Sequence, residues 1–138
     1  MMRRMEGVLS VTKGSDVYAL FVDASLPVEG HHFVTDNAAE FQVGLFQRPA
    51  GHAVKPHMHP RRAQTIQGVT EFVYIKEGKV RVKVFDEEWN ELAVYEAGAG
   101  HFFVFFRGGH AIDMLEPTRF IEVKQGPYPG DKVAKVFQ

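Results

Sequence analysis

Apolar and polar residues alternate along much of the chain in the manner of short β-strands. The clearest segment, 80–84, reads Val-Arg-Val-Lys-Val, so three valines face one way and two basic residues the other, as in a strand with one face in water. The segment before it is rich in β-branched and aromatic residues and ends at Gly78. We therefore predict a hairpin, with strands at about 70–77 and 79–86.

Similar signals recur along the chain, separated by clusters of Gly, Pro, Asp or Asn. They lie at 7–11, 17–22, 41–46, 102–106 and 119–124. The run 102–106 is apolar without alternation, which predicts a strand covered on both faces. Two segments have a weaker helical pattern, a short turn at 36–40 and a stretch at 87–96 in which Trp89, Leu92 and Ala93 share a helical face. The pattern as a whole predicts an all-β sandwich or barrel.

The length of 138 residues, 45% of them hydrophobic, suits one sizeable core and so a single domain. Within it we expect N-terminal strands over 1–50, a core over 51–124 and a C-terminal arm over 125–138. The 16 basic and 17 acidic residues give a net charge of −1, which provides no field to attract nucleic acid or anionic membranes. The absence of Cys removes disulfides, thiolate nucleophiles and Cys-type zinc sites.

The N-terminus has no apolar core typical of a signal peptide. No unbroken apolar run is longer than six residues, where a membrane helix needs about 20. These features predict a soluble, cytoplasmic protein with no membrane partner and no nucleic-acid partner.

Histidine is the most informative residue type, with seven copies. His57 and His59 are two positions apart, so on a strand their imidazoles point to the same face and converge. His31 and His32 are adjacent and on a strand point to opposite faces, which favours an ordinary surface or interface role. His52 and His101 are interpreted as structural, with His101 the reserve ligand.

The residues around the His pair form a longer motif. Gly51 is followed after five residues by His57-Met58-His59, and Glu71 is followed after six residues by Gly78. This resembles the first motif of the cupin superfamily, although eleven residues separate His59 from Glu71 where the family usually has three or four. The two halves lie on different strands, and closing a longer surface loop costs little more free energy. The alternative interpretation of Glu71 is an ordinary carboxylate at a strand end.

A third His would come from a later strand. In the second cupin motif it follows a tight turn, and here His110 follows Arg107-Gly108-Gly109, where two glycines supply the turn. The resemblance therefore implies a small cupin-type double-stranded β-helix, or jelly-roll barrel. It also implies a metal site formed by His57, His59, Glu71 and His110. Three imidazoles and one carboxylate suit one divalent transition metal, Fe, Mn, Ni, Co or Zn.

Four protein ligands leave open positions on a six-coordinate metal, as in catalytic sites. The first functional hypothesis is a metal-dependent enzyme, isomerase- or epimerase-like, acting on a small polar metabolite such as a sugar or nucleotide-sugar, with Arg62 or Arg107 holding a carboxylate or phosphate group. Two alternatives stay open: an Fe(II)-dependent dioxygenase, which would consume oxygen, and a non-catalytic sugar-binding protein, which would bind without turnover.

The resemblance also implies a partner. Cupins similar to this chain often dimerise through sheet packing and exchanged strands, so we expect a homodimer. The stretch Glu122–Tyr128 resembles the ending of small uncharacterised cupins associated with bacterial polysaccharide biosynthesis. This second resemblance suggests carbohydrate metabolism but assigns no reaction.

Overall fold

The computed structural model describes residues 2–5 and 7–138 and is nearly all β. Contacts within the chain divide it into two compact units. One, which we call the sheet unit, comprises Met1–Leu26 and Gly68–Gln138; the other, the hairpin unit, comprises Pro27–Gln67. The all-β prediction is confirmed for the part of the chain that is described.

The sheet unit contains two antiparallel sheets. The strands of the larger sheet, in spatial order, are β1 (Met2–Met5), β2 (Val8–Lys13), β3 (Asp16–Asp23), β9 (His101–Phe105), β6 (Glu71–Glu77) and β11 (Arg119–Lys124). Those of the smaller sheet are β10 (Gly109–Met114), β7 (Lys79–Phe85) and β8 (Glu91–Gly98). A one-turn helix, α1 (Asp131–Ala134), lies in the C-terminal arm.

The hairpin unit contains two short antiparallel strands, β4 (Gly30–Phe33) and β5 (Gly44–Gln47). The connection between them, at 36–40, is a turn in which the Asp36 side chain accepts a hydrogen bond from the Ala38 amide at 2.8 Å. After β5 the chain forms no further strand or helix until Glu71. The strand that the His57-x-His59 pattern predicts is therefore not formed in the structure.

The core lies between the two sheets of the sheet unit. The larger sheet contributes apolar side chains from β2, β3, β6 and β9, and the smaller sheet contributes those of β7 and β8. The predicted hairpin at 70–77 and 79–86 is confirmed by β6 and β7, and the three valines of β7 are buried as the alternation requires. Phe102 to Phe105 are all buried, which confirms a strand covered on both faces.

The helical alternative for 87–96 is not formed, because the second half of this segment is strand β8 and the first half is the turn that follows β7. Asp86 organises this turn. Its carboxylate accepts hydrogen bonds from the amides of Glu88 and Asn90, both at 2.9 Å, and from the Lys13 ammonium at 2.8 Å. Trp89 takes a positive φ of 66° there, a conformation incompatible with a helix.

Asp86 makes the fold sensitive to acid. The hydrogen bond from Lys13, followed by that from Asn90, outweighs the burial that opposes ionisation, so the pKa of Asp86 lies well below its usual 3.8. Since the folded-state pKa is lowered, the stabilisation is fully present above pH 3.8 and is lost as pH falls towards the folded-state value.

We expect the melting temperature of the wild type to fall more steeply between pH 5 and pH 2.5 than that of Asp86→Asn, which removes the titrating group. Thermal unfolding followed by circular dichroism at each pH measures this difference. Parallel pH profiles for the two proteins would contradict it.

No helix among the described residues is long and apolar enough to span a membrane.

Candidate functional site

Strand register brings Glu71 and His110 together within the sheet unit. Glu71 is paired with Phe105 across β6 and β9, and His110 with Val84 across β10 and β7. Glu71 Oε2 lies 3.3 Å from His110 Nε2. The site therefore joins one strand of the larger sheet to the edge strand of the smaller sheet.

Phe105 fixes the orientation of the His110 ring. The two rings are parallel within 2°, with centroids 3.9 Å apart, and Phe105 is itself buried in the core. A stacked aromatic pair of this kind contributes about 0.5–1.5 kcal/mol beyond its burial. One face of the imidazole is therefore held against the core, while Nε2 is directed at the carboxylate.

Glu71 is ionised under ordinary conditions. Burial is the largest single influence on its pKa and acts to raise it, but the interaction with His110, aided by the charges of Lys124 and Lys135, outweighs burial and lowers the pKa below the usual 4.5. A largely buried carboxylate that stays charged can accept hydrogen bonds or bind a cation.

The Glu71–His110 pair lines a cavity of about 790 Å³, a size suited to a small molecule. The walls are mostly apolar, with Phe85, Trp89 and Phe120 as aromatic members. The C-terminal arm contributes Tyr128, whose ring lies 5.2 Å from the Lys124 ammonium. A few polar groups within apolar walls are typical of sites for small molecules.

His57 and His59 belong to the hairpin unit. Their rings are in contact, although the residues do not form a strand. The ring centroids are 5.2 Å apart, at an angle of 68°, and both residues are exposed. His57 Nδ1 lies 2.7 Å from the Lys55 carbonyl oxygen. Because a carbonyl only accepts, Nδ1 carries the proton, and the neutral ring keeps the lone pair of Nε2 for a metal.

The described residues include no group of three or more His, Cys, Asp or Glu side chains positioned to hold a metal ion. Glu71 and His110 form one pair, and His57 and His59 form another. The chemistry of both pairs fits a transition metal, but two donors are fewer than the three protein ligands of an open catalytic zinc site. The four-ligand assignment stays a prediction.

The other histidines have different surroundings. His31 stacks on Phe46 at 5.6 Å within the hairpin unit. His101 begins β9, and its Nδ1 is buried without a hydrogen-bond partner among the described residues.

Arg107 lines the cavity but is engaged by neighbouring side chains. Its guanidinium donates to Glu87 at 2.7 Å, contacts Asp16 at 3.2 Å and lies 5.2 Å from the centre of the Tyr18 ring. Binding an anionic substrate would require Arg107 to exchange one of these carboxylates for the ligand. Arg62 lies in the exposed segment of the hairpin unit. The substrate-binding role of both arginines stays a prediction.

Sequence reasoning missed Phe105 and the C-terminal arm as parts of the site. The stacking of Phe105 on His110 depends on how the chain turns from β9 in the larger sheet to β10 in the smaller one, which no hydrophobic alternation encodes. The sequence holds one weak indication that the arm lines the site. Val133, Val136 and Phe137 are apolar, although the segment that contains them is interpreted as lying outside the core.

No protein-family model matches the chain, and neither the curated proteins nor the solved structures gave a match.

Proposed function

We propose that this chain is a metal-dependent enzyme of the cupin type that acts on a small polar metabolite, such as a sugar or nucleotide-sugar. Strand order supports the cupin-type jelly roll. The chain changes sheet between β6 and β7, between β8 and β9, and at each step from β9 to β11. Repeated crossing between two antiparallel sheets is the arrangement expected of a jelly roll.

The spacing of Glu71 and His110 is the observation that carries the metal proposal. Two donors each about 2.1 Å from one ion lie roughly 3.0 Å apart in octahedral and 3.4 Å apart in tetrahedral geometry. The observed separation of 3.3 Å between Oε2 and Nε2 falls in this range. An ordinary His–carboxylate ion pair has a similar separation, so metal binding itself must be measured.

The residues of the site have distinct parts in this proposal. Glu71 supplies a charged oxygen donor, and His110 supplies a nitrogen whose direction is set by Phe105. The apolar walls exclude water from the bound substrate, which strengthens electrostatic interactions at the site. A bound divalent metal would supply Lewis-acid polarisation of a carbonyl or hydroxyl oxygen.

Metal binding tests the proposal directly. The wild type is incubated separately with Mn²⁺, Fe²⁺ under anaerobic conditions, Co²⁺, Ni²⁺ and Zn²⁺, then desalted and analysed for bound metal. We expect about one ion per chain for at least one metal, because the proposed set of four ligands would hold a single ion. Glu71→Gln, His110→Ala and His57→Ala should each weaken binding by at least tenfold.

His32→Ala is the matched control, since His32 is an exposed histidine outside the proposed ligand set. It should bind metal as the wild type does. Stoichiometric retention of metal in all three ligand variants, or no binding by the wild type, would contradict the proposal.

A further inference from the structure

We propose that the indole of Trp89 is a stacking platform on which the cavity binds the apolar face of a sugar ring. This inference rests on the proposed sugar substrate and adds which residue recognises it and through which part of the sugar. Trp89 is not one of the proposed metal ligands, so binding of sugar and binding of metal are measured separately. Three features of the molecule support the platform.

The first feature is the backbone at Trp89. Among the described residues other than glycine, Trp89 alone has a positive φ, 66°. It lies in the turn between β7 and β8, where the strand register shifts between Val84 and Phe85. Left-handed positions in hairpin turns are usually occupied by Gly or Asn, because the Cβ of a larger residue is strained there. The turn itself therefore does not explain why this residue is Trp.

Hydrogen bonds within the turn hold Trp89 in this conformation. The Asp86 carbonyl accepts from the Trp89 amide at 3.1 Å, and the Asp86 amide donates to the Asn90 carbonyl at 3.0 Å. The Asp86 carboxylate accepts from the amides of Glu88 and Asn90, both at 2.9 Å. Strained conformations persist where the surrounding structure imposes them, and they cluster at ligand-binding sites. The turn thus fixes the direction in which the indole leaves the backbone.

The second feature is the position of the indole, which lies against the backbone of Gly109, next to His110. A Cβ added at Gly109 would lie 2.7 Å from Cζ3 of Trp89, so the ring occupies space that a side chain at this position would need. Phe85 packs on the indole, with ring centroids 5.8 Å apart at an angle of 61°. Trp89 is only partly buried and lines the same cavity as Glu71 and His110. The indole therefore forms a wall of the cavity beside the proposed metal ligands.

The third feature is the set of polar groups around the indole, which suits hydroxyl groups. Glu71 is charged and accepts hydrogen bonds. Arg107 also lines the cavity, but the carboxylates of Glu87 and Asp16 balance its charge, so it attracts a further anion only weakly. A guanidinium has five N–H donors, more than these two contacts use, and the remainder can donate to a neutral oxygen.

A sugar ring matches this combination better than other small molecules that an indole binds. A pyranose has C–H groups on one face and hydroxyls around its edge, so it stacks on an aromatic wall while its hydroxyls reach polar side chains. A flat aromatic molecule without hydroxyls would leave the Glu71 carboxylate without a donor. An organic cation would be repelled by Lys124 and Lys135, which also line the cavity.

Titration of the wild type with simple glycosides tests the platform. Trp89 is the only Trp, so its fluorescence reports a ligand at this wall. The probes are the methyl glycosides of glucose, galactose, mannose and rhamnose, each added to metal-free and to metal-loaded protein. We expect a saturable change in emission with at least one glycoside and none with sorbitol, an open-chain polyol that has no rigid face. Saturation by sorbitol as strong as by any glycoside, or by no probe at all, would overturn the platform.

Substitution of Trp89 separates the ring from the turn. Asn tolerates a left-handed backbone, so Trp89→Asn should form the turn and melt within about 5 °C of the wild type by circular dichroism. Saturation-transfer NMR, which needs no Trp, should show about tenfold weaker glycoside binding. Trp89→Phe keeps an aromatic face and should bind with intermediate affinity. Undiminished glycoside binding by Trp89→Asn would mean that the indole is not the platform.

Tyr74→Ala is the matched control, because it removes an aromatic ring from the sheet unit outside the cavity. Tyr74 and Glu71 are three positions apart on β6 and so point to opposite faces of the sheet. This variant should bind the glycosides as the wild type does. A loss equal to that of Trp89→Asn would contradict a specific role for the indole.

Two results distinguish failure of the platform from failure of the metal proposal. Wild type that binds a metal but none of the glycosides would refute the platform and leave the metal function standing. Wild type that binds a glycoside through Trp89 but none of the five metals would support the platform and refute the metal function. Trp89→Asn should bind metal as the wild type does, since the indole supplies no donor to the ion.

Discussion

Phe103→Ala is expected to lower the free energy of unfolding by about 3–5 kcal/mol, the usual cost of removing a buried Phe side chain. Phe103 is fully buried at the centre of the larger sheet, where β9 pairs with both β3 and β6. Its ring lies 5.6 Å from that of Phe21 and 5.4 Å from that of Phe105. Alanine would leave a cavity that these rings can fill only in part.

Urea unfolding followed by tryptophan fluorescence measures this loss, since Trp89 is the only Trp. Phe137→Ala is the matched control, because the same side chain is removed from a position that is 74% exposed. The control should change stability by no more than about 0.5 kcal/mol. Equal effects of the two substitutions would show that the core is not centred on β9.

Gly78→Ala is the second substitution with a large expected effect, about 3–5 kcal/mol, which combines backbone strain with a steric clash. Gly78 links β6 to β7 with a φ of 98°. An added Cβ would meet the Thr118 hydroxyl and lie 2.5 Å from the Pro117 carbonyl oxygen. Much of this contact is with backbone, which moves less readily than a flexible side chain.

Gly14→Ala separates the two contributions. Gly14 also has a positive φ, 60°, but no atom lies within 4 Å of an added Cβ. This control should lose about 1–2 kcal/mol, from backbone strain alone. The free energies of unfolding of both variants are measured by urea unfolding. Equal losses at the two positions would mean that Gly78 does not pack closely against Pro117 and Thr118.

The parts of the fold that could be predicted depend on local patterns. Val80, Val82 and Val84 alternate with basic residues, and Gly78 supplies the turn, so strands β6 and β7 follow from neighbouring residues alone. The segment 87–96 leaves a helix open as an alternative, because Trp89, Leu92 and Ala93 also fit a helical face. What decides against the helix is the Asp86 carboxylate, which binds the amides of Glu88 and Asn90 and forms a turn.

The site could be predicted only in part. The motif spacing singled out Glu71 and His110, which the structure brings to 3.3 Å. The stacking of His110 on Phe105 does not follow from the sequence pattern, because it depends on how the chain crosses from β9 in the larger sheet to β10 in the smaller one. The pattern of His57 and His59 predicted a strand, but a segment that buries no side chain gains little from forming one.

The pairing of Glu71 with Phe105 has a consequence for how this sequence can vary. A shift of one residue in β6 would turn Glu71 to the opposite face of the sheet and separate it from His110. Insertions or deletions between Pro60 and Thr70 would not shift the register of β6, since that stretch contains no strand. Natural homologues should therefore differ in length before β6 and keep a fixed count of residues within it.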